Sequence, residues 1–284
     1  MDVFKTRPYI MEKIPISRDN FEKYTKNQED YILKKQHFAI CPECDNPIML
    51  VNLYKDSKEE NVRIVKPYGR HYPHDIEKLT NYNHENYLNC PYSNPSDHRR
   101  ITVRDLNNRT GNAILQSLIE NYDKIIFLLS IKIGIFISNS FAKKLLINFI
   151  AEEKWRYYST NYSNLPFVLL NGDVAFSIFN RYIRKDSELL EVLKVYSNIE
   201  LKKGKNGFQI LEKAKKYERL NARLVNIRTE VNNNNNKLYQ LADFIVYYEG
   251  RDIYNKTLSL DDKSLEISFK RNTELLDMAK ELLK

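Results

Sequence analysis

Three observations predict an α+β chain. A Cys-x-x-Cys pair in the first hundred residues sits between two short apolar runs, the pattern of strand, tight turn and strand. From Asn112 onward apolar residues fall at helical spacing for several turns. Beyond residue 217 they recur in alternating steps of three and four, the spacing of a coiled coil. The chain divides accordingly into a module over residues 1–110, a mostly helical domain over 111–200, and an extended helical oligomerisation region over 201–284.

The first module turns on its cysteines. In segment 37–51, Cys41 and Cys44 occupy the tip of the expected hairpin. Two thiolates two residues apart can face one cation, because the turn aims backbone amides inward and offsets their charge. A second cluster follows, with His71 and His74 and then Cys90. Tetrahedral zinc takes four nitrogen or sulfur ligands, and Cys41, Cys44 and Cys90 supply three. The fourth is one of His71, His74 or His84. His74 is favoured because it precedes a short helical stretch at 75–79, with His71 the alternative. The competing reading is of buried free cysteines beside surface histidines. No His-x-Glu accompanies the pair, so the open coordination position of a zinc deaminase is not indicated. Four protein ligands make the expected site closed and structural, the staple of a zinc-ribbon-like module.

The order Cys41-Pro42-Glu43-Cys44, an apolar strand, then His71-Tyr72-Pro73-His74 resembles the N-terminal zinc-finger-like module of CoiA-like competence proteins over residues 37–95. Cys90 departs from that pattern. The resemblance implies a zinc-bound module in a bacterial or phage nucleic-acid or defence setting. In size and composition the chain is also similar to phage-encoded inhibitors of host antiphage defence nucleases, the anti-Gabija type, which implies a non-catalytic protein that grips a protein complex.

The helical domain rests on Ile114, Leu115, Leu118, Ile119, Tyr122, Ile125, Ile126 and Leu129, followed by a second helix capped at Ser140. The run 167–170 reads as a short strand, and 175–183 and 187–196 as helices. In the third region Leu220, Leu224, Ile227, Val231, Leu238, Leu241 and Ile245 form the expected seam, and burying it predicts a homo-oligomer. The asparagine run at 232–236 permits another reading, a loop between two helices or strands. A final helix is expected around Leu275, Leu276, Ala279, Leu282 and Leu283, and Leu265, Ile267 and Phe269 fit either strand or helix.

Of the net charge of +8, much is local. Residues 200–228 hold Lys202, Lys203, Lys205, Lys213, Lys215, Lys216, Arg219, Arg223 and Arg228 against three glutamates. Such a run is either a solvated face or a surface that follows a phosphate backbone, so a nucleic-acid-binding accessory protein is the second reading. A third is a restriction-type nuclease, with Asp173 followed by Glu200-x-Lys202 holding a divalent metal. The N-terminus has no apolar signal region. The most apolar stretch, 125–137, is shorter than the roughly 20 residues of a membrane span. A chain without membrane contact, in the cytoplasm of a bacterial host, is expected.

Overall fold

The computed structural model describes residues 1–55, 66–93, 103–172, 175–196, 199–204, 208–213, 218–232, 237–261, 264 and 269–283. They form two compact units, the first of residues 1–117, 155–162 and 229–239, the second of 118–154, 163–228 and 240–284. Both helices and sheets are present, as the α+β reading expects.

In the first unit, β1 (Val3–Phe4) pairs antiparallel with β2 (Ile14–Pro15). Helix α1 (Arg18–Thr25) starts where the Ser17 side chain accepts from the Asn20 amide, and it buries Phe21. Strands β3 (Ile32–Leu33), β4 (Gln36–Ile40), β5 (Pro47–Val51) and β6 (Tyr68–His71) form one antiparallel sheet in that order. Phe4, Phe21, Phe38, Ile40 and Ile48 make the core beneath it. Gly69 in β6 is pressed into this core: a Cβ there would meet Ile48 Cδ1 at 3.0 Å and Ile16 Cδ1 at 3.2 Å. Helix α2 (His84–Leu88) begins at a cap made by Asn83, and α3 spans Arg109–Glu120. The segment 155–162 is fastened to this unit by Arg104. Its buried guanidinium donates to the carbonyls of Trp155, Tyr157, Tyr158 and Thr160 at 2.7–3.4 Å. Burial pushes that guanidinium down to about 10; the carbonyls take up its two terminal nitrogens, and Nε is buried without a hydrogen-bond partner.

The second unit opens with α4 (Tyr122–Ile133), closed by Gly134 at φ 72°, and α5 (Asn139–Ala151), capped by Ser138 rather than Ser140. The periodic run from Asn112 is thus two helices, α3 and α4, broken at Asn121. Residues 165–170, expected to be extended, are helix α6, with Pro166 in its first turn, where the missing N–H is harmless. Strands β7 (Phe176–Ser177) and β8 (Tyr182–Arg184) occupy the stretch expected to be helical. Helix α7 (Glu188–Lys194) follows its Ser187 cap. Strands β9 (Ile199–Lys203) and β10 (Phe208–Lys213) join β8 in a three-stranded antiparallel sheet, ordered β8-β10-β9. The chain ends in α8 (Thr273–Leu282), as expected; Leu265 and Ile267 lie outside the described residues. Asp123, buried in α4, holds Arg271 at 2.9 Å and accepts from the Asn272 amide at the start of α8.

The expected coiled coil is a β-sheet. Strands β11 (Leu220–Asn232), β12 (Lys237–Tyr248) and β13 (Arg251–Leu260) form a sheet with β7 in the order β13-β12-β11-β7. In β12 the inward residues are Leu238, Gln240, Ala242, Phe244 and Val246, a period of two. Leu241 takes the other face, against the seam reading. In β11 the buried set Leu220, Ala222 and Leu224 is followed by exposed Asn226 at φ 54°, and the next buried residue is Thr229, so the alternation inverts across Asn226. That inversion makes the spacing of Leu220, Leu224 and Ile227 imitate a heptad. Fully buried Gln240 interrupts the apolar alternation of β12 and completes the disguise. With the seam absent, the structure gives no support to the oligomer it was expected to form.

Candidate metal centre

Strand pairing assembles the centre. Ile40 pairs with Pro47 at the end of the β4–β5 hairpin, and the six-residue loop between them carries Cys41 and Cys44. The loop is closed by Cys41 N donating to Asn46 O at 2.8 Å and Asp45 N to Cys41 O at 3.2 Å. Asp45 takes φ 62°, a conformation that aspartate tolerates better than most residues. On the other edge of β5, Ile48 pairs with His71, which sets that histidine at the end of β6 beside the loop. Cys90 arrives from below: its amide donates to Tyr87 O at the end of α2, and Asn86 in the same helix donates through Nδ2 to Cys44 O at 3.3 Å.

The result is a cluster of four possible ligand atoms, from Cys41, Cys44, His71 and Cys90, all within 4.8 Å of one another. Cys41 Sγ lies 3.7 Å from Cys90 Sγ, and Cys44 Sγ lies 3.3 Å from His71 Nε2. The three sulfurs are buried and none is in a disulfide. Burial works to raise all three thiols. For Cys41 it is outweighed by hydrogen bonds from Cys44 and Cys90 and by the nearby His71, so that this thiol is held well below its usual value. Cys44 and Cys90 are driven well above theirs by burial and by the Cys41 thiolate. Three thiols this close and this deep favour a cation that lets all of them ionise together.

Three of the expected ligands are therefore in the cluster, and the fourth member is His71 and not the favoured His74. His74 stands exposed beyond β6, its ring 5.2 Å from that of Tyr72. The stretch 75–79 that recommended it is a turn closed by an Ile76–Thr80 bridge and not a helix. His84 is also exposed and stacks on Tyr87.

The polar support under the loop was not visible in the sequence. Fully buried Lys5 forms an ion pair with Asp45 and donates to Ile10 O and Pro42 O at 3.1 and 3.2 Å. The other Asp45 oxygen accepts from Thr110 Oγ1 at 3.0 Å and from Tyr162 OH at 3.3 Å. Thr110 accepts in turn from Asn86, whose Nδ2 also reaches the Cys44 carbonyl. Beside it, Lys13 pairs with buried Glu43 at 2.7 Å. Two residues of the Cys-x-x-Cys loop, Glu43 and Asp45, thus anchor it to the rest of the unit. The Asp45-Asn46 pair was a turn signal; nothing marked Lys5, Thr110 or Tyr162.

The other expected site residues scatter. Glu200 and Lys202 lie in β9, where Lys202 pairs with Glu212 of β10 at 2.6 Å; Asp173 lies outside the described residues. Lys203 is exposed on β9, Arg219 and Arg223 are exposed at and in β11, and Lys205 and Lys216 lie outside the described residues, as does the Lys213 side chain. Comparison with known proteins finds no matching family, no matching curated protein and no matching solved structure. Among the described residues no helix is long and apolar enough to cross a membrane.

Proposed function

We propose that this chain is a non-catalytic binding protein whose first unit is stapled by a structural zinc ion held by Cys41, Cys44, His71 and Cys90. The carrying observation is the closed set of four ligands. A tetrahedral centre with Zn–S of about 2.3 Å and Zn–N of about 2.0–2.1 Å has edges of roughly 3.5–3.8 Å. The 3.7 Å Cys41–Cys90 separation matches those edges, the 3.3 Å Cys44–His71 separation is slightly shorter, and all four atoms lie within 4.8 Å of one another, so small side-chain adjustments bring the set to tetrahedral geometry. Three thiolates and an imidazole are the donor set that zinc takes in structural sites, and a fourth protein ligand leaves no position for water or substrate. The role of the ion is mechanical. It would join the β4–β5 loop, the end of β6 and the residue after α2, reinforcing the sheet and the hydrogen bonds from Asn86 and Asn46 that also connect them.

Elemental analysis of the purified protein tests this reading directly. One zinc per chain is expected, reduced to a small fraction by Cys41→Ser or His71→Ala and retained in His74→Ala. A protein that purifies without metal and keeps its fold, or one that loses zinc on His74→Ala alone, overturns the assignment.

A further inference from the structure

The basic run 200–228 is sorted by the fold into spent and unspent charge. Lys202 pairs with Glu212 at 2.6 Å and Arg228 with Asp243 at 3.1 Å. Arg219 and Arg223 differ: among the described residues neither guanidinium meets a carboxylate. Period two along the strand puts residues 219, 221 and 223 on one side of the chain, opposite the buried face that carries Leu220, Ala222 and Leu224. With Ala175, Tyr247, Glu249 and Gly250 they line an open cleft of about 440 Å³.

The cleft is pre-shaped on both sides. Arg223 Nε donates to Tyr247 OH at 2.6 Å, and the guanidinium carbon lies 4.9 Å from the Tyr247 ring centroid, which fixes the plane of the fork and leaves its terminal N–H groups toward the cleft without a described partner. The one acid among the described lining residues is already engaged. Glu249 accepts the Arg219 backbone amide through Oε1 and donates its own amide to Arg219 O at 3.0 Å, closing the β12–β13 turn at Glu249 and Gly250 against the start of β11. At about 3.3 Å per residue the two arginine Cα atoms stand roughly 13 Å apart, far enough for each to engage a separate phosphate.

We propose that this cleft binds the phosphodiester backbone of single-stranded nucleic acid, with the Arg219 and Arg223 guanidiniums forked on phosphates and Tyr247 and Asn221 against sugar or base. A planar fork suits a phosphate's paired oxygens, and an aromatic ring beside a cationic groove is the arrangement that holds unpaired bases without reading them. Among the described residues the cleft is lined by strand and turn positions and by no helix, so no element stands ready to enter a duplex groove. The inference stands apart from the zinc reading, because every residue it uses lies in the second unit.

Fluorescence polarisation with labelled dT20 and rU20, on full-length protein of measured zinc content, tests it. Binding at 50 mM salt is expected to weaken linearly on a log–log plot as salt rises, each phosphate contact adding about 0.7 to the slope. Arg219→Gln with Arg223→Gln is expected to lower affinity by about tenfold or more and to reduce the slope by about 1.4, whereas Lys202→Gln, which touches a charge already paired, leaves both within about twofold. Thermal melting checks that the exposed substitutions leave the fold intact. Should they not, Arg219→Lys with Arg223→Lys, which keeps charge and loses the fork, is expected to retain the slope and lose part of the affinity. No binding by the native protein at 50 mM salt, or equal binding by the Gln pair, overturns the proposal. Arginine-dependent binding of a poly-glutamate peptide without oligonucleotide binding overturns it as well and gives the cleft to an acidic protein partner.

Discussion

The cysteine cluster of the first unit and the long-stranded sheet, most of which lies in the second, are held by opposite kinds of interaction. Around Cys41, Cys44, His71 and Cys90 a few directional contacts organise the chain, and a buried ion pair, Lys5 with Asp45, supports the loop beside the apolar core. In β11, β12 and β13 no single contact dominates; alternate residues along long strands bury one face, and the ladder spreads the load over many hydrogen bonds. A fold of the first kind fails at one atom. One of the second kind loses stability by increments.

Metal removal should break that contrast most sharply. Structural zinc contributes about 10–16 kcal/mol of apparent free energy in small modules, as much as the entire stability of an ordinary domain. Chelation, or Cys90→Ser, is therefore expected to abolish amide protection across β4, β5 and β6 in hydrogen exchange while β12 and β13 stay protected. Equal protection in both sheets after chelation would show that the ion is dispensable.

The ion pair comes next. Lys5→Met leaves the Asp45 carboxylate buried with its main partner gone, and a loss of about 3–5 kcal/mol is expected from the denaturant midpoint. The double variant Lys5→Met with Asp45→Asn should recover part of that loss, since the stranded charge is the larger penalty. A loss of under about 1 kcal/mol in the single variant would mean that Thr110 and Tyr162 alone support the loop.

Legibility follows the same division. Cysteine spacing is discrete, so the clustering of Cys41, Cys44 and Cys90 could be read from it, and the hairpin that carries the first two from its turn. The choice between His71 and His74 could not be, because it depends on where β6 ends, and strand pairing with Ile48 decides that. The helices of the second unit were visible where the 3.6-residue period was strong, as in α4 and α5, and missed where a short apolar run such as Leu165–Leu170 fits either state. The sheet was misread for a physical reason: a change of facing across Asn226, at φ 54°, and a polar residue, Gln240, on the buried face convert a two-residue period into an apparent seven-residue one. Proteins that bury a glutamine or invert a strand will deceive any reading based on periodicity alone.

Gly134 and Asn226 sharpen the comparison at single backbone positions. A Cβ at Gly134 would sit 2.7 Å from Ser187 Cβ, in a conformation, φ 72°, that alanine resists. Gly134→Ala is expected to lower stability by about 1–3 kcal/mol, read from thermal melting. At Asn226 the strain is milder. Asn226→Gly should stay within about 0.5 kcal/mol of the native protein and Asn226→Val should lose about 1–2 kcal/mol, since a branched residue disfavours φ 54°. If valine were tolerated there, the left-handed backbone at Asn226 would not be what sets the facing of Thr229.

The smallest expected effect tests whether the sheet's polar face contributes at all. Burial would raise the Asp243 carboxyl, but hydrogen bonds from Asn226, Thr257 and Arg228 outweigh it and hold the group below the ordinary carboxylate value. A carboxyl depressed in the folded state stabilises it above the unfolded pKa of about 3.9, and that contribution disappears as pH falls through the folded value. The pair with Arg228 is partly exposed, so the total should stay under about 1 kcal/mol. Urea midpoints at pH 5, 4 and 3, followed through amides of β12 and β13 so that acid release of metal from the first unit does not intrude, should fall less steeply in Asp243→Asn than in the native protein. Parallel slopes would place the stability of this sheet on its buried face, with Leu238, Ala242, Phe244 and Val246, and would mean that the hydrogen bonds to Asp243 do no more than offset its burial.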